Sequence, residues 1–307
     1  MLATLLPIDK IIGKIYPLFA LALIFMAIGI LVVLYTKGGV LPELWDGLHN
    51  THPNAEALPI FPIMFVSIAC GAISGFHATQ SPLMARCMTN EHHGRPVFYG
   101  AMITEGIVAL IWAAAATIFF HDNGMGESNA SVVVNDITRS WLGTIGGVLA
   151  ILGVVAAPIS TGDTALRSAR LIVADFLHLE QKKMRSRLLI CIPIFLITIG
   201  VLLYSLRDAA GFDMIWRYFA WVNQTLSVFT LFAVSVFLAK ERSGHYYLVT
   251  LIPALFMLAV CSSYIVVAPE GFAKPQSYIL PVALGISVVA LVLFMLWRQK
   301  MIHSRKN

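Results

Sequence analysis

Eight apolar stretches, each about as long as a membrane-spanning helix, constrain what this sequence can fold into. A helix rises about 1.5 Å per residue and bonds its backbone internally, so roughly 20 apolar residues cross the hydrocarbon core of a bilayer. Glu105 is the one formally charged residue within these stretches. The sequence therefore predicts an all-α, polytopic transmembrane helix bundle of about eight spans in the lipid bilayer. The predicted spans are 15–36, 58–85, 97–120, 141–160, 188–206, 218–239, 246–268 and 277–297.

The composition excludes most soluble classes of protein. Hydrophobic residues make up 58% of the 307 residues and charged residues 12%, about half the charged share of an ordinary soluble domain. The 21 lysines and arginines exceed the 16 acidic residues but form no basic face, so no nucleic acid is expected as a partner. The four cysteines are far apart and lack a CxxC spacing, which predicts neither a disulfide framework nor a metal site.

The positive charges predict the orientation of the chain in the membrane. Lysine and arginine are enriched in the cytoplasmic connections of membrane proteins. With the N-terminus in the cytoplasm, 16 of the 21 basic residues fall in cytoplasmic segments and 5 in the opposite ones. Six of the 16 lie in one cytoplasmic basic loop at about 165–187. We therefore expect both termini to face the cytoplasm and residues 1–307 to form a single transmembrane domain.

A polar island interrupts the second apolar stretch, which is too long for one upright helix. Proline has no backbone N–H and clashes with the carbonyl four residues earlier, so Pro82 predicts a helix that opens near residues 77–78. Opened backbone is tolerated in a membrane where it lines a cavity or is buried in protein. The island therefore predicts part of a pocket, and the alternative is a tilted helix with a small-residue packing seam. Its candidate binding residues are Ser74, Gly75, His77, Gln80 and Ser81.

Two titratable residues inside the predicted spans are candidates for proton transfer. The imidazole of His77 is of the type that exchanges protons near neutral pH. Glu105 lies eight residues beyond Val97, which places it about 12 Å into the third span. A carboxylate at that depth needs a partner or a proton, and it is by default a functional hypothesis. The alternative for His77 is an interior histidine that is hydrogen-bonded and has no function in transport. The alternative for Glu105 is a structural hydrogen bond between helices.

Two further polar clusters lie at the ends of later spans. After the fourth stretch, Asp163 precedes Arg167 by four residues, so the two side chains can pair on one helical face. Alternatively, a hydroxyl residue at 160–161 caps a new helix whose N-terminal amides attract an anion. In the sixth stretch, Asn223 and Gln224 follow an aromatic belt. Such amides either bind a ligand or hold helices together.

Several of these segments together resemble the carbon starvation protein A family of bacterial transporters. The resemblance implies an inner-membrane secondary transporter, related in fold to the amino acid–polyamine–organocation superfamily, with peptides or pyruvate as substrates. Members of that family are longer, so the chain is expected to be a truncated member, a sequence with a late start, or one part of a split protein whose partner chain supplies further N-terminal spans. The segments that carry the resemblance are GAISGFHATQSPLMARC, AMITEGIVALIWAAAA, STGDTALRSAR and WRYFAWVNQTLSVF.

The resemblance also implies which residues serve transport. The substrate-binding residues would be Ser74, Gly75, His77, Gln80, Ser81, Thr164, Asn223 and Gln224. The residues that couple transport to a proton or cation would be His77, Glu105 and Asp163. No cofactor is expected.

Three classes of function stay open at the level of sequence. The first is a proton-coupled secondary transporter that moves its substrate by alternating access around broken helices. The second is an intramembrane nutrient sensor or receptor that binds the same ligand without moving it, or a remnant that does not transport. A membrane enzyme is disfavoured because the sequence has neither an HExxH nor a GxSxG spacing, and no Walker-type sequence indicates an ATP-driven pump.

Overall fold

The computed structural model describes fourteen segments of the chain. Over these residues the regular secondary structure is helical, with no strand. The long apolar stretches explain this result, because a helix is the element that satisfies its own backbone groups in hydrocarbon. The prediction of an all-α polytopic bundle is confirmed. The described residues are 9–39, 41, 43, 45, 49–50, 55, 58–68, 73–124, 130–150, 152–153, 156–179, 184–207, 209–241 and 244–304.

The described residues form ten α-helices and four shorter helical turns. We number them α1 Asp9–Lys37, α2 Phe65–Ile68, α3 Phe76–Cys87, α4 Ala101–Asn123, α5 Ala130–Ala150, α6 Ala156–Phe176, α7 Met184–Ser205, α8 Ala209–Glu241, α9 Leu248–Val267 and α10 Ile279–Ser304. Shorter helical turns occur at Ile60–Met64, Glu91–His93, Arg95–Gly100 and Gln276–Tyr278.

Six helices of the described residues are long and apolar enough to cross a membrane. Large apolar side chains are exposed along them, as on α9 and α10 at Val249, Ile252, Leu284 and Leu293. A helix that is apolar on every side belongs in lipid or in a core. The chain is a multi-pass membrane protein. The six spans are Pro17–Lys37, Glu91–Asn123, Met184–Ser205, Met214–Glu241, Leu248–Val267 and Gln276–Ser304.

The other two predicted spans, 58–85 and 141–160, are interrupted helices in the part of the chain that the structure describes. The first is divided between the turn Ile60–Met64, α2 and α3. The second crosses from α5 into α6, and α5 is itself kinked at Gly143, whose φ of 63° and ψ of −149° suit a residue without a Cβ. Small uncharged residues keep these stretches apolar on average, so hydropathy does not reveal the breaks.

The basic loop is shorter than the sequence predicts. Helix α6 continues to Phe176 and α7 begins at Met184, so much of 165–187 is helical. Helix α6 begins at Ala156. Residues 160–161 therefore lie inside this helix, and the alternative in which one of them caps a new helix is wrong.

The chain divides into two compact units. Unit 1 comprises Met1–Asp46 and Ile103–Leu203, and unit 2 comprises Gly47–Met102 and Tyr204–Asn307. In unit 1, α1 packs against α5 and α6. Its core joins Met26 and Ile30 of α1 to Ala115 of α4 and Ile137 of α5.

Helix α9 is the centre of unit 2. It packs against α8, α10, α2 and the turn Ile60–Met64. Buried side chains of α9, among them Met257, Val260 and Tyr264, meet Val228 of α8 and Val66 of α2. A hydroxyl pair adds a polar contact, because the Oγ of Ser235 and the Oγ1 of Thr250 lie 2.8 Å apart between α8 and α9. These contacts hold α8 in place beside α2 and α3.

Candidate functional site

The polar island opens just before α3. Residues 73–75 are not helical, and α3 runs without a break from Phe76 through Pro82 to Cys87. The predicted opening at residues 77–78 is therefore placed a few residues too late. Pro82 removes one hydrogen bond from α3, whereas the contact that Gly75 makes with α8 fixes where the helix begins.

Gly75 approaches α8 more closely than any residue with a side chain could. A Cβ at this position would lie 2.0 Å from the backbone oxygen of Asn223, 2.7 Å from the Cβ of Leu226 and 2.8 Å from the backbone nitrogen of Ser227. Two of these three atoms belong to the helix backbone, which cannot move aside without distorting α8. The absence of a side chain at residue 75 is thus what allows the start of α3 to pack on α8.

Ser74 and Asn223 meet at this contact, although 149 residues separate them in sequence. The Nδ2 of Asn223 donates to the Oγ of Ser74 at 3.1 Å, and the Oγ of Ser74 lies 3.4 Å from the Oδ1 of Asn223. Asn223 is only 6% exposed and Gln224 is 0% exposed. The hydroxyl of Ser227 donates to the backbone oxygen of Gln224 at 2.6 Å. The structure therefore brings together three of the predicted residues, Ser74, Gly75 and Asn223, with Gln224 adjoining.

Three other predicted residues of the island lie on α3, namely His77, Gln80 and Ser81. The Nε2 of Gln80 donates to the Oγ1 of Thr79 at 3.3 Å, and Ser81 is half-buried. His77 is in the first turn of α3, but its side chain lies outside the described residues. Its place in a pocket and its role in proton transfer stay predictions.

The remaining predicted residues belong to unit 1. Asp163 and Thr164 are on α6, and their side chains lie outside the described residues. Glu105 is on α4, where its side chain is exposed. The roles of Glu105 and Asp163 in proton coupling stay predictions, as does the pair of Asp163 and Arg167.

A buried carboxylate that the sequence analysis did not select lies in the connection between α9 and α10. Glu270 has a side chain that is 2% exposed. The Nε of Arg217 donates to its Oε1 at 3.0 Å, and the hydroxyl of Tyr264 donates to the same oxygen. The hydroxyl of Tyr218 donates to the backbone oxygen of Glu270. The Oε2 of Glu270 is buried and accepts no hydrogen bond from the described residues. We call these four residues the Glu270 cluster.

Sequence reasoning missed the Glu270 cluster because charges in connections are usually solvated. Arg217 and Glu270 are 53 residues apart, so no local spacing links them. One signal was available, since both residues fall in connections predicted on the same side of the membrane and each lies near aromatic residues. Within the described ranges, no three histidine, cysteine or acidic side chains are grouped so that they could hold a metal ion.

Comparison with known proteins identifies several relatives. The family model described as carbon starvation protein CstA matches residues 17–140 and 123–263. A peptide transporter CstA of Campylobacter jejuni is 26% identical over 302 residues, which cover 76% of this chain and 43% of the relative. The pyruvate/proton symporter BtsT of Escherichia coli is 35% identical over 118 residues, which cover 38% of this chain and 14% of the relative.

An uncharacterised membrane protein of Haemophilus influenzae is 45% identical over 136 residues, which cover 39% of this chain and 37% of the relative. The chain thus spans less than half the length of each of these three relatives. No solved structure matches the chain significantly.

Proposed function

Because the chain belongs to the carbon starvation protein CstA family, we propose that it acts in secondary active transport and takes up peptides or pyruvate together with a proton during carbon starvation. The names of two relatives support this choice of substrates, since one is a peptide transporter and another a pyruvate/proton symporter. These names also favour transport over catalysis. The coupled ion is a proton or another cation.

The observation that carries the proposal is the contact between an interrupted helix and a buried amide pair in unit 2. Transporters of the inverted-repeat type build their substrate sites from discontinuous helices, where free backbone groups and helix ends face the substrate. Here the interruption at residues 73–75 lies against Asn223, with Gln224 next to it on α8. Packing alone does not require this concentration of uncharged polar groups in an apolar setting.

The same geometry suggests how a carboxylate is held. The N-terminal end of α3 carries a partial positive charge from the helix dipole, so it suits the carboxylate of pyruvate or of a peptide C-terminus. Ser74 and Asn223 would add neutral hydrogen-bond donors, and Gln80, Ser81 and Thr164 would complete the substrate path. Relative motion of the broken helices would expose the site to one side of the membrane and then to the other.

The proton would be carried by a titratable group near this path. His77, Glu105 and Asp163 are the proposed carriers, each on a different helix of the described chain. A partner chain that supplies further N-terminal spans belongs to the same proposal.

We place the protein in the bacterial inner membrane with both termini in the cytoplasm. The distribution of basic residues supports this orientation, because 16 of 21 fall on the predicted cytoplasmic side. The relation to the amino acid–polyamine–organocation fold belongs to the same proposal.

Counterflow in liposomes tests transport directly. The purified chain is reconstituted into vesicles loaded with unlabelled pyruvate or dialanine, and a trace of the labelled compound is added outside. A transporter exchanges the two pools, so the label accumulates transiently above its equilibrium level. Saturable binding of the label without exchange would contradict the proposal and indicate a receptor.

Matched serine variants relate the exchange to the proposed site. Ser74→Ala removes the hydroxyl that meets Asn223, and we expect it to slow exchange several-fold. Ser67→Ala removes an exposed hydroxyl on α2 that donates to the backbone oxygen of Ile63 in the preceding helical turn, and exchange should be unchanged. Equal exchange rates in Ser74→Ala and Ser67→Ala would show that the contact at Ser74 is not part of the transport site.

A further inference from the structure

Both hydrogen-bond donors of the Glu270 side chain reach the same oxygen. Arg217 and Tyr264 donate to Oε1, while Oε2 is buried and accepts no hydrogen bond from the described residues. A buried charged acceptor without a donor is destabilising, because it has lost its hydration without gaining a hydrogen bond. A proton that binds at Oε2 removes this charge and displaces neither donor. The geometry of the carboxylate therefore leaves one oxygen available for protonation.

Arg217 is held by one of its nitrogens. Its side chain is 39% exposed, and its hydrogen bond to a described residue is the one from Nε to Glu270. A guanidinium has five N–H groups in a planar fork, so four remain on the two terminal nitrogens. This fork matches a carboxylate with two parallel hydrogen bonds. The half-exposed end of Arg217 is thus a donor surface for a small anion.

The charge state of Glu270 affects the binding of an anion at Arg217. While Glu270 is ionised, it compensates Arg217 and repels a second carboxylate. Once Glu270 is protonated, it no longer compensates the positive charge of Arg217, which then attracts a second carboxylate. Among the described residues, the titratable groups that face Glu270 from the packed elements are Arg217 and Tyr218 of α8 and Tyr264 of α9. Arg217 is the cation among these groups, so it is the charge that responds.

We propose that Glu270 and Arg217 form a proton-linked binding site for a small carboxylate. A proton from solution binds Oε2 of Glu270, and the carboxylate binds the terminal nitrogens of Arg217, so one proton and one negative charge enter together. The choice of pyruvate or a short peptide as ligand rests on the proposed function. In the predicted orientation the site faces the outside, where a substrate is first met.

Proton uptake on ligand binding is the decisive measurement. Pyruvate or dialanine is added to the purified full chain in weakly buffered detergent solution, and the pH change is recorded beside calorimetric binding. We expect about one proton per bound carboxylate and an affinity that falls about tenfold per pH unit on the alkaline side of the transition. Failure of both compounds to draw a proton would overturn the inference.

Two variants test the proton-binding residue Glu270 and the carboxylate-binding residue Arg217 separately. Glu270→Gln keeps the shape of the neutral acid, so it should bind pyruvate without proton uptake and without pH dependence. Arg217→Gln should weaken binding at least tenfold at every pH. Glu241→Gln and Lys240→Gln lie at the exposed far end of α8 and serve as controls that should match the parent chain. Unchanged proton uptake in Glu270→Gln would overturn the inference.

A purely structural role for the pair makes a different prediction. Loss of thermal stability in Glu270→Gln, with the parent's proton uptake retained, would show that the pair only anchors the connection to α8. If Glu270→Gln does not fold, Glu270→Asp is measured instead. If the proton binds at residue 270, this variant should shift the pH midpoint of proton uptake relative to the parent chain. An unchanged midpoint would refute the site.

Counterflow separates this inference from the proposed function. Proton-linked binding without exchange would leave the Glu270 site standing and refute transport. Exchange by Glu270→Gln with the pH dependence of the parent chain would support transport and refute the site.

Discussion

At the scale of single residues, uncharged polar groups in apolar stretches were the informative signal. Ser74 and Asn223 stand out in sequence because hydroxyl and amide groups need partners in hydrocarbon, and the structure pairs them. Glu270 was not predicted as a site residue, because a charged residue in a connection between spans is usually solvated and needs no hydrogen-bond partner within the protein. Its burial against Arg217 follows from tertiary packing between α8 and the α9–α10 connection, which no local spacing encodes.

Replacement of Gly75 by alanine should separate the start of α3 from α8. The new methyl group would meet the backbone oxygen of Asn223 at 2.0 Å, so we expect a loss of about 1–3 kcal/mol of stability and slower substrate exchange. Gly285→Ala on α10 is the matched control, because nothing lies within 4 Å of a Cβ built there. Thermal unfolding in detergent compares the two, and equal melting temperatures would contradict the close approach.

The hydrogen bond between Ser74 and Asn223 can be measured with a double-mutant cycle. Ser74→Ala, Asn223→Ala and the double variant should give a coupling of about 0.5–1.5 kcal/mol in unfolding free energy. Additive effects would mean that the two side chains do not interact in the folded protein.

At the scale of elements, composition predicts helices well and their interruptions poorly. Glycine, alanine and serine keep 58–85 and 141–160 apolar on average, so neither the break before α3 nor the kink at Gly143 is visible in hydropathy. Pro82 indicated an opening in the correct stretch, but the close contact of Gly75 with α8 sets its position. That contact depends on a helix more than a hundred residues later.

The central place of α9 in unit 2 predicts opposite outcomes for two neighbouring residues. Leu251 is 1% exposed among the core residues of α8, α9 and α10, whereas Ile252 is 64% exposed. Leu251→Ala should lower the unfolding free energy by about 2 kcal/mol or more through lost packing contacts. Ile252→Ala should change it by less than about 0.5 kcal/mol. Similar losses in a detergent-unfolding titration would show that α9 is not packed as described.

At the scale of the whole molecule, the proposed orientation rests on the distribution of basic residues between the connections. Cys87 is exposed at the end of α3, on the predicted cytoplasmic side. In a Cys70→Ser background, a membrane-impermeant maleimide should label Cys87 in inverted vesicles and not in intact cells. Lys274→Cys, at an exposed position in the predicted outer connection, should show the reverse. Labelling of Cys87 from outside would reverse the proposed orientation.

Accumulation driven by a pH gradient tests the central claim most directly. Liposomes that contain the purified chain are given an acidic exterior, and labelled pyruvate or dialanine is added outside. Coupled transport predicts that the label rises above its external concentration and falls back when a proton ionophore collapses the gradient. Uptake of both compounds at the rate of protein-free vesicles, with the gradient intact, would contradict the account.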